Sequence, residues 1–325
     1  AQYPIGRGKD GKPTAGFFAG RTHSLIPVPE LDCLLGCLEN KDYLAAVLKF
    51  MEDFGVEPYD EANHKGLVRH VLLRKGFASG EHMVCLVING KKLPHEKEFI
   101  ERLHETGADS ISLSFNMEKT NVILGTEIKN LYGPGYITDK IGNIEYRISP
   151  LSFYQVNPKQ TEKLYSTALA FAGLTGNENV WDLYCGIGTI GMIASKQVKE
   201  VIGVELNRDA VRDAIGNAKG NGVKNIRFYQ ADAGEFMVAM AEQGEKMDVV
   251  FMDPPRAGSD EAFFQSVIKL APKKVVYISC NPETLARDLG YLTKKKYKVT
   301  KICPVDMFPF TDHCEVITCL QRVES

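Results

Sequence analysis

The chain has 325 residues, with 39 Lys+Arg against 41 Asp+Glu, a net charge of -2, and 44% hydrophobic residues. That length allows two domains at roughly 100–200 residues each. Near-neutrality argues against non-specific coating of nucleic acid, while leaving room for a local basic patch. No apolar run reaches the ~18 residues of a membrane-spanning helix and no secretory leader is visible. The eight cysteines are scattered, with Cys85, Cys303 and Cys319 inside apolar strands. We therefore expect no membrane partner, no disulfide framework and a reduced, cytoplasmic location.

The first stretch, AQYPIGRGKDGKP, reads like the middle of a hairpin and predicts a further segment upstream of this sequence. Lys9-Asp10-Gly11-Lys12-Pro13 is its turn. Leu31 to Phe54 has helical spacing and stops at Gly55, a residue suited to a left-handed C-cap. Strand-like runs follow at Gly66 to Arg74, Met83 to Asn89, Ser110 to Asn116 and Asn121 to Thr126, with a helix over Pro94 to Glu105. Residues 1–149 thus predict a smaller α+β domain with an antiparallel sheet.

Near Ser149-Pro150 the pattern changes. Apolar strands at Val180 to Tyr184, Glu200 to Glu205, Ile226 to Gln230, Met247 to Met252, Lys274 to Ser279 and Lys298 to Cys303 are mostly separated by helices such as Arg208 to Lys219. A last strand runs from Cys314 to Leu320. Residues 150–325 predict an α/β domain with a parallel, doubly wound sheet of seven strands. Ligands in such sheets bind beyond the carboxyl ends of the strands. Asp182, Glu205, Asp232, Asp253 and Cys280 all fall at or just past such ends.

Gly186-Ile187-Gly188-Thr189-Ile190-Gly191 matches the G-x-G-x-x-G loop between strand and helix, and Glu205 closes the next strand. This spacing fits a dinucleotide, so a nicotinamide oxidoreductase is one reading. The preceding Asp182-Leu183-Tyr184-Cys185 favours S-adenosylmethionine instead, because a carboxylate entering the loop can face a cation but would repel a pyrophosphate. Asp232 is placed to accept a hydrogen bond from an adenine amino group. Glu205 and Asp232 also read as solvated strand-end acids.

Cys280 sits between a strand and a helix that starts at Pro282, where a helix N-terminus is expected to lower the thiol pKa. Asn281-Pro282 stiffens the turn and aims the sulfur. The bland alternative is a buried structural cysteine. Asp253-Pro254-Pro255-Arg256 follows another strand, and similar Asp-Pro-Pro motifs occur in methyltransferases acting on base amino groups. An added thiol and carboxylate point to carbon methylation, since pyrimidine C5 is a poor nucleophile until a thiolate adds at C6. Glu315 is the candidate base for the C5 proton, although from its position alone it reads as well as a surface acid.

These residues resemble the S-adenosylmethionine-dependent RNA (uracil-C5)-methyltransferases, over nearly the whole chain. Phe153-Tyr154-Gln155-Val156-Asn157 is similar to the family's aromatic-Gln segment, which implies a cofactor contact for Gln155. Asp182 to Gly188 resembles the cofactor loop, implying cofactor contacts for Asp182, Tyr184 and Gly186 with Glu205, Asp232 and Asp253. Asp253-Pro254-Pro255-Arg256-Ala257-Gly258 resembles the substrate-side loop, with Asp253 and Arg256. Ser279-Cys280-Asn281-Pro282 and His313-Cys314-Glu315 resemble the nucleophile and base, implying a covalent Cys280–C6 adduct. The N-terminal half is most similar to the bacterial branch that modifies 23S ribosomal RNA, at one or two uridines; the tRNA branch is the close alternative. The resemblance implies a Rossmann-like methyltransferase fold, an RNA partner, and an upstream RNA-binding TRAM barrel outside this sequence.

Some relatives hold an iron–sulfur cluster, and Cys33 resembles its fourth ligand. With no upstream cysteines here, no cluster is expected from this chain alone, and no metal site; Cys33 and Cys37 read as structural thiols. Arg7, Lys9, Lys12, Arg21, Arg69, Arg74 and Lys75 are candidates for a basic face. Lys294-Lys295-Lys296 reads as a solvated turn, and His95-Glu96-Lys97-Glu98 lacks the second histidine of a zinc motif. A non-catalytic RNA-binding or folding factor on the same fold is the rival from a different class. No protein partner can be read.

Overall fold

The structure is a computed structural model that describes residues 1–20, 22–33 and 36–323. The chain divides into two compact units, Ala1–Asp139 with Ile148–Leu151, and Lys140–Arg147 with Ser152–Ser325.

The first unit contains β1 (Gln2–Arg7), β2 (Pro13–Phe18), β3 (Leu25–Pro27), α1 (Asn40–Phe54), β4 (Val68–Lys75), β5 (His82–Ile88), α2 (Glu96–Glu105), β6 (Ser110–Phe115) and β7 (Glu127–Tyr132). Its sheet runs in the order β3-β2-β1-β4-β5-β6-β7. All pairs are antiparallel except β5 with β6. That exception follows from α2, because parallel neighbours need a crossover and a helix supplies one. Leu44, Val47, Leu48 and Met51 form one stripe of α1 at helical spacing and pack with Phe99, Leu103, Val84, Leu86 and Leu113 in a single core.

Two expectations for this unit need correction. The helix expected from Leu31 begins at Asn40; Pro29–Leu31 instead makes a 3-10 turn, with Glu30 and Leu31 at positive φ. Leu34 and Leu35 lie outside the described residues. The helix does end at Gly55, at φ 61 with its N–H on the Met51 carbonyl. Asn121 to Thr126 is not a strand, because side chains take its carbonyls: Asn116 Nδ2 donates to Val122 O (2.6 Å) and Ile123 O (3.0 Å). The pairing strand is β7, just beyond.

Most of the basic residues expected on one face are committed elsewhere. Arg69 is 2% exposed and donates to three carbonyls. Arg74 donates to Pro150 O, and burial lowers its pKa to about 10. Lys75 pairs with Glu39, Arg7 with Glu57 and Lys12 with Glu52. Lys9 is exposed, and Arg21 lies outside the described residues.

β8 (Ile137–Ile141) and β9 (Ile144–Ile148) form a separate two-stranded sheet. The second unit continues with α3 (Pro158–Ala172), β10 (Asn179–Leu183), α4 (Thr189–Ala194), β11 (Glu200–Glu205), α5 (Arg208–Gly220), β12 (Ile226–Gln230), α6 (Ala233–Gln243), β13 (Val249–Met252), α7 (Glu261–Leu270), β14 (Lys274–Ser279), α8 (Pro282–Thr293), β15 (Tyr297–Val305) and β16 (Glu315–Arg322). The strand order is β12-β11-β10-β13-β14-β16-β15. The first five strands are parallel, as the alternation with helices requires. The wholly parallel expectation fails at the end: β16 is antiparallel to both β14 and β15. Residues 306–314 hold no helix to carry a crossover, so the chain can only fold back as a hairpin.

Each helix that leaves a strand end past β11 starts on an Asn or Asp cap, from Asn207, Asp232, Asp260 and Asn281. Asn207 Oδ1 accepts from Asp209 N (2.8 Å) and Ala210 N (3.2 Å). An Asn207→Ala change should cost about 1 kcal/mol, read in urea as a lower midpoint with an unchanged slope.

Candidate active site

The glycine loop between β10 and α4 is held by carboxylates. Asp182, the fourth residue of β10 and 1% exposed, accepts from Gly191 N at 2.7 Å. Glu205, the last residue of β11, accepts from Gly186 N (3.0 Å) and Asn207 N (2.8 Å). Gly188 N donates to Cys185 O at 2.8 Å. The N–H groups of all three loop glycines are therefore engaged within the protein. A dinucleotide pyrophosphate needs such groups free, so the nicotinamide reading loses its anchor.

Gly186 lies at φ +55 and a Cβ built there would meet nothing within 4 Å, so the loop faces open space. Gly188, at φ +82, and Gly203 leave no such room, because a Cβ would come within 2.8 Å and 2.5 Å of the Phe228 ring. Asp232 caps α6, with Oδ1 accepting from Gly234 N and Glu235 N. Gln155 is 8% exposed and its side chain lies near that of the buried Tyr165.

Tyr184 adopts φ 64, unusual for a non-glycine residue. Its hydroxyl lies 3.1 Å from Ser259 Oγ. This bond ties the glycine loop to the segment Asp253 to Ser259. That segment is anchored in turn from α8: Thr284 Oγ1 and Asn281 Nδ2 donate to Arg256 O (3.0 and 3.3 Å), and an Arg287 nitrogen donates to Ala257 O (2.8 Å). Gly258, at φ +75, passes so close that a Cβ would sit 2.4 Å from Asp288 Oδ2. Asp288 is 2% exposed and accepts from Tyr277 Oη (2.7 Å), Arg287 Nε (2.8 Å) and Ser259 N (3.3 Å). This brace was not foreseen. Its sequence signal is an acid on the otherwise apolar face Leu285, Leu289 and Leu292 of α8.

The β14–β16 register brings Cys280 and Glu315 together, and the Glu315 charge acts on the Cys280 thiol. β14 pairs with β16 as Ile278↔Ile317 and Ser279↔Val316, and Cys280 and Glu315 each lie one step beyond the second pair. Cys280 is partly exposed, whereas Glu315 is 4% exposed. Asn281 caps α8 with its side chain on Glu283 N at 3.0 Å, and Ser279 Oγ bonds the backbone of Asn281 on both sides. Arg256 donates to His313 Nδ1 at 3.0 Å, joining the Asp253-Pro254-Pro255-Arg256 and His313-Cys314-Glu315 segments.

The acids crowd one another. Burial first, then the charges of Glu315 and Asp182, pushes Asp253 up to about 8. Burial also raises Asp182 to about 7 and Glu315 above the usual carboxylate range, the latter opposed by Arg256. The Cys280 thiol is raised as well, by burial and then by Glu315 and Asp253, with Arg256 pulling the other way. This reverses the expected direction: two neighbouring carboxylates and desolvation outweigh the helix N-terminus. Among the described residues, no group of three His, Cys, Asp or Glu is arranged to hold a metal ion, and no helix is long and apolar enough to cross a membrane.

The family model for tRNA (uracil-5-)-methyltransferase matches residues 79–323. The chain is 45% identical to an uncharacterized RNA methyltransferase of Halalkalibacterium halodurans, covering 99% of this chain and 70% of the relative. It is also 45% identical to one of Clostridium tetani, covering 97% and 68%. Among solved structures, it resembles the Pyrococcus abyssi tRNA (uracil-54, C5)-methyltransferase in complex with S-adenosyl-L-homocysteine, at a TM-score of 0.82 and 28% identity over 98% of this chain and 74% of that one. The chain belongs to the tRNA (uracil-5-)-methyltransferase family and is an RNA methyltransferase, with the Rossmann-like α/β fold expected from its sequence.

The raised carboxyls fix the sign of a pH effect. An unfolded Asp titrates near ~3.9, and Asp253 does so at about 8 in the folded chain. Between those values the folded state binds the extra proton, so stability is fullest at low pH and falls as pH rises through the folded value. Asp253→Asn should flatten this decline and exceed the wild type in stability on its alkaline side, measured by urea unfolding across the pH range.

Proposed function

We propose that this chain methylates C5 of uridine in 23S ribosomal RNA, with S-adenosylmethionine as methyl donor, Cys280 as nucleophile and Glu315 as base. The observation that carries the reading is the register that brings Cys280 and Glu315 together beside Asp253. The residues fit the donor: the loop faces open space at Gly186 and is bordered by the carboxyl groups of Asp182, Glu205 and Asp253, and a bound cation would favour the charged form of each. S-adenosylmethionine supplies an electrophilic methyl group on a sulfonium. Gln155, Asp182, Tyr184, Gly186, Glu205, Asp232 and Asp253 are the residues we assign to holding it. Arg256 and Asp253 border the uracil.

Cys280 must lose its proton before it reacts, and Arg256 favours that loss. The thiolate then adds to C6 of uracil, and the electron pair of the C5–C6 double bond moves to C5 as an enolate. C5 is thereby nucleophilic enough to be alkylated. Glu315 accepts the C5 proton, the double bond re-forms and the Cys280–C6 bond breaks, restoring the thiolate. A carboxylate raised by burial is the stronger base for this step. The target base must leave its stack to reach a thiol held at a strand end.

Substrate choice has a rival, since the similar Pyrococcus abyssi structure is a tRNA enzyme. The test is methyl incorporation from labelled donor into 23S RNA and into tRNA, both from cells lacking the activity. Label confined to tRNA would overturn the ribosomal assignment and leave the chemistry standing.

For the chemistry, RNA carrying 5-fluorouridine at the target should give a covalent methylated adduct mapping to Cys280, because fluorine cannot leave as a proton. Cys280→Ala should abolish adduct and turnover. Glu315→Gln should accumulate adduct on ordinary RNA and lower turnover by about 100-fold or more. A Cys280→Ala variant with normal turnover would sink the mechanism.

A further inference from the structure

A pocket of about 440 Å³ opens in the first unit, bordered by Phe18, His23, Glu61, Arg69, His70 and the 120–123 segment. The reaction above makes no use of it. Its volume lies in the range of small-ligand sites.

One wall is rigid by construction. Arg69 donates to Asn116 O (3.0 Å), Glu118 O (2.8 Å) and Thr120 O (3.2 Å), while its guanidinium lies 4.5 Å from the Tyr59 ring centre. These bonds fix the 116–123 segment against β4. Arg69 thus builds the wall; its charge is met by Glu61 at 3.7 Å and its donors are committed to carbonyls. The pocket is therefore poorly suited to a phosphate.

The lining suits something flat and neutral. Phe18 is 37% exposed, with the His23 and His70 rings set edge-to-face against it at 5.8 and 6.4 Å. His70 is 6% exposed and its Nδ1 finds no hydrogen-bond partner in the protein. Burial and then Arg69 lower its pKa to about 4, so at neutral pH the ring is uncharged and can meet a hydrogen-bonding edge. A neutral, aromatic lining of this kind suits a flat ring with a polar edge. Single-stranded RNA presents such ligands, bases splayed out of the stack onto aromatic side chains.

We propose that this pocket receives an unstacked base of the substrate RNA, with its face on Phe18 and its polar edge toward the His23 and His70 rings that line the pocket. The proposal rests on the reading above for its RNA. It makes the first unit a second point of base recognition, away from the reacting uridine.

The test uses the full chain with 23S and tRNA transcripts containing 4-thiouridine, irradiated and mapped by mass spectrometry, alongside RNA affinity and Cys280 adduct formation. Cross-links should fall on peptides holding Phe18, His70 or Val122. Phe18→Ala and Val122→Asp, both at exposed side chains, should weaken RNA binding at least about fivefold, with adduct formation at saturating RNA unchanged. Phe18→Trp should retain binding, and His70→Ala should follow Phe18→Ala if it folds. Cross-links confined to the second unit, or unchanged affinity in both surface variants while Cys280 still traps RNA, would overturn the pocket proposal alone. Neither RNA binding nor Cys280 trapping in the wild type would overturn the RNA reading and this proposal with it.

Discussion

The antiparallel pairing of β16 with β14 is the constraint on which the candidate site depends. Cys280 lies just past the carboxyl end of β14, and Glu315 opens β16. In a parallel pair, the start of one strand lies at the far end of the sheet from the close of its neighbour, a separation of about 3.3 Å for every residue of strand length. Reversing β16 abolishes that separation and brings the two residues to the same end of the sheet, each one step beyond the Ser279↔Val316 pair. The reversal itself follows from the short loop after β15, which has no helix to turn the chain around. The chemistry thus rests on the one place where the sheet departs from its parallel repeat.

A second consequence concerns charge. Carboxyl groups of β10, of β16 and of the residue after β13 meet the thiol after β14 at one edge; burial raises the proton affinity of each, Glu315 and Asp182 add to it at Asp253, and Glu315 and Asp253 add to it at Cys280. Such crowding is tolerable because Arg256 opposes it at Glu315 and Cys280, and because Asp182 spends one oxygen on the Gly191 N–H. Sites tuned for proton transfer commonly gather groups whose surroundings move them far from their solution behaviour.

The local features could be read from the chain because local patterns encode them. Apolar runs such as Lys274 to Ser279 become strands with the bounds expected, and Gly55 ends α1 where its left-handed conformation is needed. What depended on partners far away could not be read. The direction of β16 is set by a neighbour, not by its own alternation. The thiol pKa of Cys280 is raised by burial and then by acids contributed by two distant segments, Glu315 and Asp253. Arg69 looks like a surface cation in sequence, yet it is buried because carbonyls some 50 residues on in the chain receive it. Asp288 shows up only as an acid on an apolar helix face, and its partners Tyr277 and Ser259 lie on separate elements.

The hydrogen bond between Tyr184 and Ser259 joins the glycine loop to the Asp253 segment across 75 positions of sequence. If one ligand settles on the first loop and another on the second, their binding is linked through this shared contact. Thermodynamic reciprocity then requires each to change the other's affinity by the same factor. Tyr184 holds a left-handed backbone conformation that glycine would adopt at less cost, but glycine would have no hydroxyl to make the link.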